Sequence, residues 1–222
     1  EEVLFGERGI AGELRPGTVV GLLMAVGVHE AQRVAASLAE RGVHTLDLPV
    51  SGGGDRARRG ELVVLVGGPD AVADAVAPVL EHLAATVVRV GPTVGDGQAM
   101  KAVNQLLVAV NLTGLAEALS LGAALGLDPA LTLRALGAGA ASSFMVMDRG
   151  PRMVEAIDGA EPHPVNRLDV TAADLAIALD TARDGGVPTP VAAAAGQVFL
   201  AAGRRLPPDA DDSALVRVGD PG

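Results

Sequence analysis

The chain has 222 residues, with 17 basic and 27 acidic side chains and a formal net charge of −10. With 49% apolar and 20% charged residues and a mean hydropathy of +0.37, it is a core-forming sequence of one or two domains. The absence of cysteine excludes disulfide and thiol chemistry, and the acidic balance without Trp or Tyr argues against nucleic acid as a partner.

Residues 1–92 alternate between helical and strand patterns. Glu1 to Leu14 carries a weak helical spacing that Arg15-Pro16-Gly17 breaks. Thr18 to Val28 (TVVGLLMAVGV) is a near-continuous apolar run and reads as a strand buried on both faces. His29 to Arg41 has apolar residues at helical spacing, with Gly42 as its stop. Val43 to Val50 reads as a short strand that runs into Ser51-Gly52-Gly53-Gly54, and Glu61 to Val66 as another closed by Gly67-Gly68. The strand from Leu62 is expected to be antiparallel, because its connection from Ser51 is short and lacks an apolar helix. A helix from Pro69-Asp70 to about Ala84 and a strand from Thr86 to Val90 complete an α/β layer with a mostly parallel sheet.

After Gly91-Pro92 the period changes to helical throughout. Gln98 to about Leu125 has no Pro and is apolar all round, which predicts one long helix buried on most sides. Further helices are expected over Pro129 to Leu136, Ser143 to Ile157 with a kink or break at Gly150-Pro151, Ala172 to Asp184, and Pro190 to Gly203. Pro207 to Gly222 reads as polar and loose, apart from Ser213 to Val216. The expected domains are therefore 1–92 and 93–222. No uninterrupted apolar run reaches the ~18 residues of a membrane span. A cytoplasmic protein without a membrane role is expected.

Chemistry concentrates in three places. Asp47-Leu48-Pro49-Val50-Ser51-Gly52-Gly53-Gly54 ends a strand in a hydroxyl followed by unhindered backbone N–H groups, a turn able to wrap a substrate carboxylate. The second is Gly91 to Gln105. Of the 17 basic residues, Lys101 is the lone lysine, and it lies one turn inside the long helix with Asn104 and Gln105 on its face. A half-buried lysine can serve as a general acid/base near neutral pH, which arginine cannot. The third is Ala172-Ala173-Asp174-Leu175-Ala176, closed by Gly185-Gly186-Val187-Pro188-Thr189-Pro190. The four histidines (His29, His44, His82, His163) show no metal-binding spacing, and no metal is expected.

PVSGG, VGG, GxGxxxK on a long helix and an ADL helix closed by GVPTP occur here in that order. Together they resemble the β-hydroxyacid dehydrogenase family, which includes 3-hydroxyisobutyrate dehydrogenase, tartronate semialdehyde reductase and 6-phosphogluconate dehydrogenase. The resemblance covers the chain to about Ser213. It implies a Rossmann-like NAD(P)-binding domain, here without its N-terminal strands, joined by the long helix to an all-α domain. It also implies reversible oxidation of a small 3-hydroxy acid with NAD or NADP, in a cleft between the domains, by a homodimer or homotetramer. Lys101 takes the role of the catalytic lysine, and Ser51, Gly52 and Gly53 that of the carboxylate site. Asn104 or Gln105 supplies the substrate-contacting amide, and Asp174 falls in the cofactor-contacting motif.

Departures accompany the match. No G-x-G-x-x-G occurs, so the chain is expected to be a fragment that binds NAD(P) poorly by itself. The family's Asp-x-Ser-Thr on the nicotinamide side matches Leu22-Leu23-Met24-Ala25, its cofactor-binding lysine matches Ala173, and an aromatic position matches Asn166. These departures leave room for a non-catalytic binding or dimerisation module, and the apolar Met24-Ala25 for a reductase of imines or other carbonyl analogues.

Overall fold

The computed structural model describes residues 2–219. They form two compact units that divide between Val103 and Asn104.

The first unit is a mixed five-stranded sheet with helices. After a short helix α1 (Glu2–Phe5) and a 3-10 turn (Ile10–Gly12), β1 (Val19–Leu22) pairs in parallel with β2 (His44–Asp47), and α2 (Val28–Ala39) connects them. Ala31, Val34 and Leu38 of α2 are buried at helical spacing, and Val34 and Leu38 share a core cluster with Val43 and Val20. β3 (Val50–Ser51) and α3 (Gly53–Arg58) lead to β4 (Val63–Gly67). β4 is antiparallel to both β2 and β3, as the short connection predicts, and parallel to β5 (Thr86–Gly91). The expected mostly parallel sheet is thus mixed. The predicted helix over Pro69 to Ala84 divides into α4 (Asp70–Ala75) and α5 (Ala77–Leu83), with Pro78 near the start of α5.

The run from Thr18 to Val28 is a strand only as far as Leu22. Leu23 to Gly27 form a loop with Leu23 and Met24 exposed, and Gly27 at φ 84° opens α2.

α6 (Asp96–Ala124) begins in the first unit and continues into the second. It is long and apolar enough to cross a membrane by length and composition, although no uninterrupted apolar run is that long. Its Leu112, Leu115 and Leu119 lie in the core of the second unit. Val103, Leu107 and Leu121 are exposed, so the expected burial on most sides is only partial.

The second unit packs α7 (Pro129–Ala138), α8 (Phe144–Ile157), α9 (Leu168–Asp184) and α10 (Pro190–Arg205) around Leu112, Leu119, Met153, Leu175 and Phe199. Asp128 caps α7 by accepting from the Leu131 N–H at 2.7 Å, and Ser143 caps α8 by accepting from the Val146 N–H at 3.2 Å. α8 runs on through Gly150-Pro151. α7 approaches closely at Gly150: an added Cβ would lie 2.2 Å from Leu133 Cδ1, so that side chain would have to shift.

The polar tail is not loose within the described residues. Asp211 to Val216 are buried, and a 3-10 segment covers Asp212–Gly219. Asp212 accepts from Arg149 Nε at 3.2 Å and from the Thr171 hydroxyl at 3.0 Å. Asp211 accepts from Arg152 Nε at 3.1 Å and from the Val165 and Asn166 N–H groups at 2.8 and 3.1 Å. Asn166 in turn accepts from the Asp212 N–H at 2.7 Å, so this residue anchors the tail. Charged residues that read as solvated are held by partners about 40 to 60 positions away.

Candidate active site

β1 and β2 lie in register, with Leu22 opposite Asp47. The loop 23–27 and the turn into β3 therefore leave the carboxyl ends of two parallel neighbours at the same level, where open α/β sheets receive ligands. Pro49 interrupts the strand, and β3 ends at half-buried Ser51. Gly52 and Gly53 adopt φ of 140° and 73°, conformations that side chains with a Cβ avoid. The chain thus turns sharply here, and a Cβ on Gly52 would lie 3.1 Å from both Arg56 Cβ and Leu62 Cδ2.

α6 brings Lys101 to this turn. Its ammonium donates to the Val50 carbonyl at 2.9 Å, adjacent to Ser51. The first turn of α6 is fixed by Asp47, which sequence reading noted only as part of the strand. Fully buried, Asp47 accepts from the Gly95 N–H at 3.0 Å and from the Gln98 N–H at 2.7 Å. It caps the helix from a neighbouring strand. Burial pushes its carboxyl above the ordinary value of 3.8, against the lowering effect of those two N–H groups. Space for it exists only because glycines line it. A Cβ on Gly67 would lie 2.3 Å from Asp47 Oδ1, and one on Gly97 2.7 Å from Oδ2. Asp96 closes the preceding turn by accepting from the Thr93 N–H at 2.9 Å.

Gln98 is the second residue that sequence reading missed. It is buried, with Oε1 accepting from the Val26 N–H at 3.1 Å and Nε2 donating to the Met24 carbonyl at 3.0 Å. The available signals were an acid closing an apolar strand and an amide between glycines and a lysine.

In the second unit, Asn104 and Gln105 are half-buried, one turn beyond Lys101 on the same helix. Asn104 Nδ2 donates to Gln105 Oε1 at 2.9 Å, and Gln105 Nε2 donates to the Asp174 carboxylate of α9. The three side chains form one chain of hydrogen bonds, in which Asp174 orients the Gln105 amide. Among the described residues, no cluster of His, Asp or Glu suits a metal ion. An open apolar groove of about 700 Å³ between α9 and α10 contains none of these site residues.

The residues present fit a nicotinamide. Leu23 and Met24 offer an exposed apolar surface at the strand end, suited to one face of the ring. A parallel strand pair ending at one level, a positive-φ glycine turn and a lysine hydrogen-bonded beside it are the parts of a ligand site at the carboxyl edge of the sheet.

Comparison with known proteins identifies which kind. Residues 1–91 match the NAD binding domain of 6-phosphogluconate dehydrogenase, and residues 95–219 match the family described as NAD-binding of NADP-dependent 3-hydroxyisobutyrate dehydrogenase. The chain is 35% identical over 218 residues to an L-threonate dehydrogenase of Escherichia coli O6:H1, covering 98% of this chain and 71% of that one. It is also 35% identical to the 2-hydroxy-3-oxopropionate reductase of Escherichia coli K12, covering 98% and 73%. The crystal structure of a 3-hydroxyisobutyrate dehydrogenase from Salmonella typhimurium superposes with a TM-score of 0.88 at 32% identity, covering 98% and 74%. The chain belongs to the β-hydroxyacid dehydrogenase family of NAD(P)-dependent oxidoreductases.

Proposed function

We propose that Lys101 exchanges the proton in the reversible oxidation of a small 3-hydroxy acid. The observation that carries this reading is the 2.9 Å hydrogen bond from its ammonium to the Val50 carbonyl, beside the Ser51-Gly52-Gly53 turn. A substrate carboxylate held by that turn fixes which carbon is presented for reaction. When bound, the nicotinamide takes or supplies the hydride. In reduction, the Lys101 ammonium protonates the oxygen that develops negative charge; in oxidation, the neutral amine accepts the hydroxyl proton. Asn104 and Gln105 supply amides to the substrate oxygen, and Asp174 fixes the Gln105 orientation at the cofactor-contacting motif. The named substrates of the relatives, L-threonate and 2-hydroxy-3-oxopropionate, support the substrate class.

We place residues 1–92 in the dinucleotide-binding domain and 93–222 in the helical domain. The two matched family models, which end at residue 91 and begin at 95, support this division. We also propose a cytoplasmic homodimer or homotetramer assembled through the helical domain. Exposed Leu107, Leu121 and Leu200 and the apolar groove between α9 and α10 support an interface there. Light scattering at micromolar concentration checks it, and a monodisperse monomer overturns it.

The test of the reaction is nicotinamide absorbance, measured with the full-length gene product across a panel of 3-hydroxy acids. Lys101→Met is expected to lower kcat by about 10²–10⁴-fold, the usual contribution of a positioned acid/base, with cofactor affinity unchanged. Undiminished turnover in that variant overturns the assignment.

A further inference from the structure

Gln98 is 2% exposed, yet both ends of its carboxamide are used on one stretch of backbone. It accepts from the Val26 N–H at 3.1 Å and donates to the Met24 carbonyl at 3.0 Å. A carboxamide presents donor and acceptor side by side as a peptide does, so Gln98 pairs with Met24 and Val26 much as a neighbouring strand would. The backbone N–H of the same residue donates to Asp47 at 2.7 Å. One residue therefore ties together the loop after β1, the end of β2 and the first turn of α6. Lys101 lies three residues further on, on the adjoining face of that turn.

We propose that Gln98 is a positioning residue of the oxidoreductase reaction: it locks the 23–27 loop to the helix turn that carries Lys101. The loop leaves the carboxyl end of β1 at the level of Asp47, on the ligand side of the sheet, and its Met24 side chain is exposed there. The reaction would need the loop at the strand end and the proton-exchanging lysine at a fixed separation. A displacement of about 1 Å in such an arrangement costs on the order of 10²-fold in rate. The Leu23–Gly27 segment has no regular secondary structure of its own, so the Gln98 amide supplies the restraint. This inference rests on the assignment of Lys101 above.

Two variants of the full-length gene product test it. Gln98→Met keeps the length of the side chain and removes both hydrogen bonds. It is expected to lower kcat by about ten- to a hundredfold and to raise the cofactor KM, with an unchanged circular-dichroism spectrum. Gln98→Glu keeps the acceptor for Val26, but can donate to the Met24 carbonyl only when its carboxyl is protonated. Its activity relative to wild type is expected to fall as pH rises through that titration, and to approach wild type on the acid side. If Gln98→Met does not fold, this pH dependence decides the matter. Wild-type kcat and cofactor KM in a folded Gln98→Met variant, or a Gln98→Glu profile parallel to wild type, overturns the inference. Lys101→Met separates the two readings. If it is inactive while the Gln98 variants are unimpaired, only the positioning role fails; if it retains full turnover, the reaction assignment fails and the positioning role with it.

Discussion

Removing the Asp212 carboxylate should destabilise the second unit more than any surface substitution. Asp212 is fully buried and Arg149 is 8% exposed, so each depends on the other for solvation lost on folding. Asp212→Ala leaves the Arg149 guanidinium with the half-exposed carboxylate of Asp148 and leaves the Thr171 hydroxyl without one acceptor. Breaking one side of a buried pair costs about 3–5 kcal/mol, and a lost neutral hydrogen bond about 1 kcal/mol. Asp148 offsets part of this, so a net loss of about 3 kcal/mol is expected. Burial pushes the Asp212 carboxyl above its ordinary value in spite of Arg149, so the ionised form is held at a cost. The double variant Arg149→Met/Asp212→Leu should therefore lose less than the sum of its two single changes, by at least about 1 kcal/mol. Urea unfolding followed by far-UV circular dichroism is the suitable assay, because the chain has no Trp or Tyr to report by fluorescence. An Asp212→Ala loss below about 1 kcal/mol, or strict additivity in the cycle, refutes the reasoning.

The neighbouring Asp211 gives a pH dependence of definite sign. Burial alone would raise its carboxyl, but the Ser213 hydroxyl, the Asn166 and Ser213 N–H groups and Arg152 hold it below the ordinary 3.8. A depressed folded-state value contributes stability that is fully present above the unfolded value and is lost as pH falls through the folded one. The stability difference between wild type and Asp211→Asn should thus be constant above about pH 5 and shrink below the ordinary carboxylate value, as read from unfolding curves at several pH values. At the first unit, Gly67→Ala sets a Cβ 2.3 Å from Asp47 Oδ1 and 2.5 Å from the Gly97 nitrogen. It should cost about 1–3 kcal/mol by overpacking and lower turnover by disturbing the α6 cap; a neutral melting temperature would show that the cap yields without penalty.

Much of this arrangement is legible in the chain. The long helix announces itself by sustained helical spacing without Pro, and the Gly52-Gly53 turn by two glycines that take positive φ. The antiparallel β4 follows from a connection too short for a parallel crossover. What is not legible depends on partners distant in sequence. Nothing local ends β1 at Leu22, since Leu23 to Val26 remain apolar; the loop is set by an amide 72 to 74 positions later. Asp211 and Asp212 look like tail charges until Arg149 and Arg152 face them. Asn104, Gln105 and Asp174 were expected from motif and spacing, but the link between Gln105 and Asp174 spans 69 positions and has no local signature.

The capping of α6 from another strand also bears on the order of folding. A helix normally closes its first turn with a residue of its own, so that turn can form as soon as the segment exists. Here the acceptor for the Gly95 and Gln98 N–H groups lies 48 and 51 positions upstream, and the Gln98 amide binds backbone 72 and 74 positions upstream. These are non-local closures, whose entropy is spent before their hydrogen bonds are gained. The ordering of the end of α6 that carries Lys101 is thus tied to the pairing of β1 with β2. Every one of those upstream partners has already left the ribosome when Gln98 is made, so synthesis from the N-terminus presents the helix start to a waiting sheet.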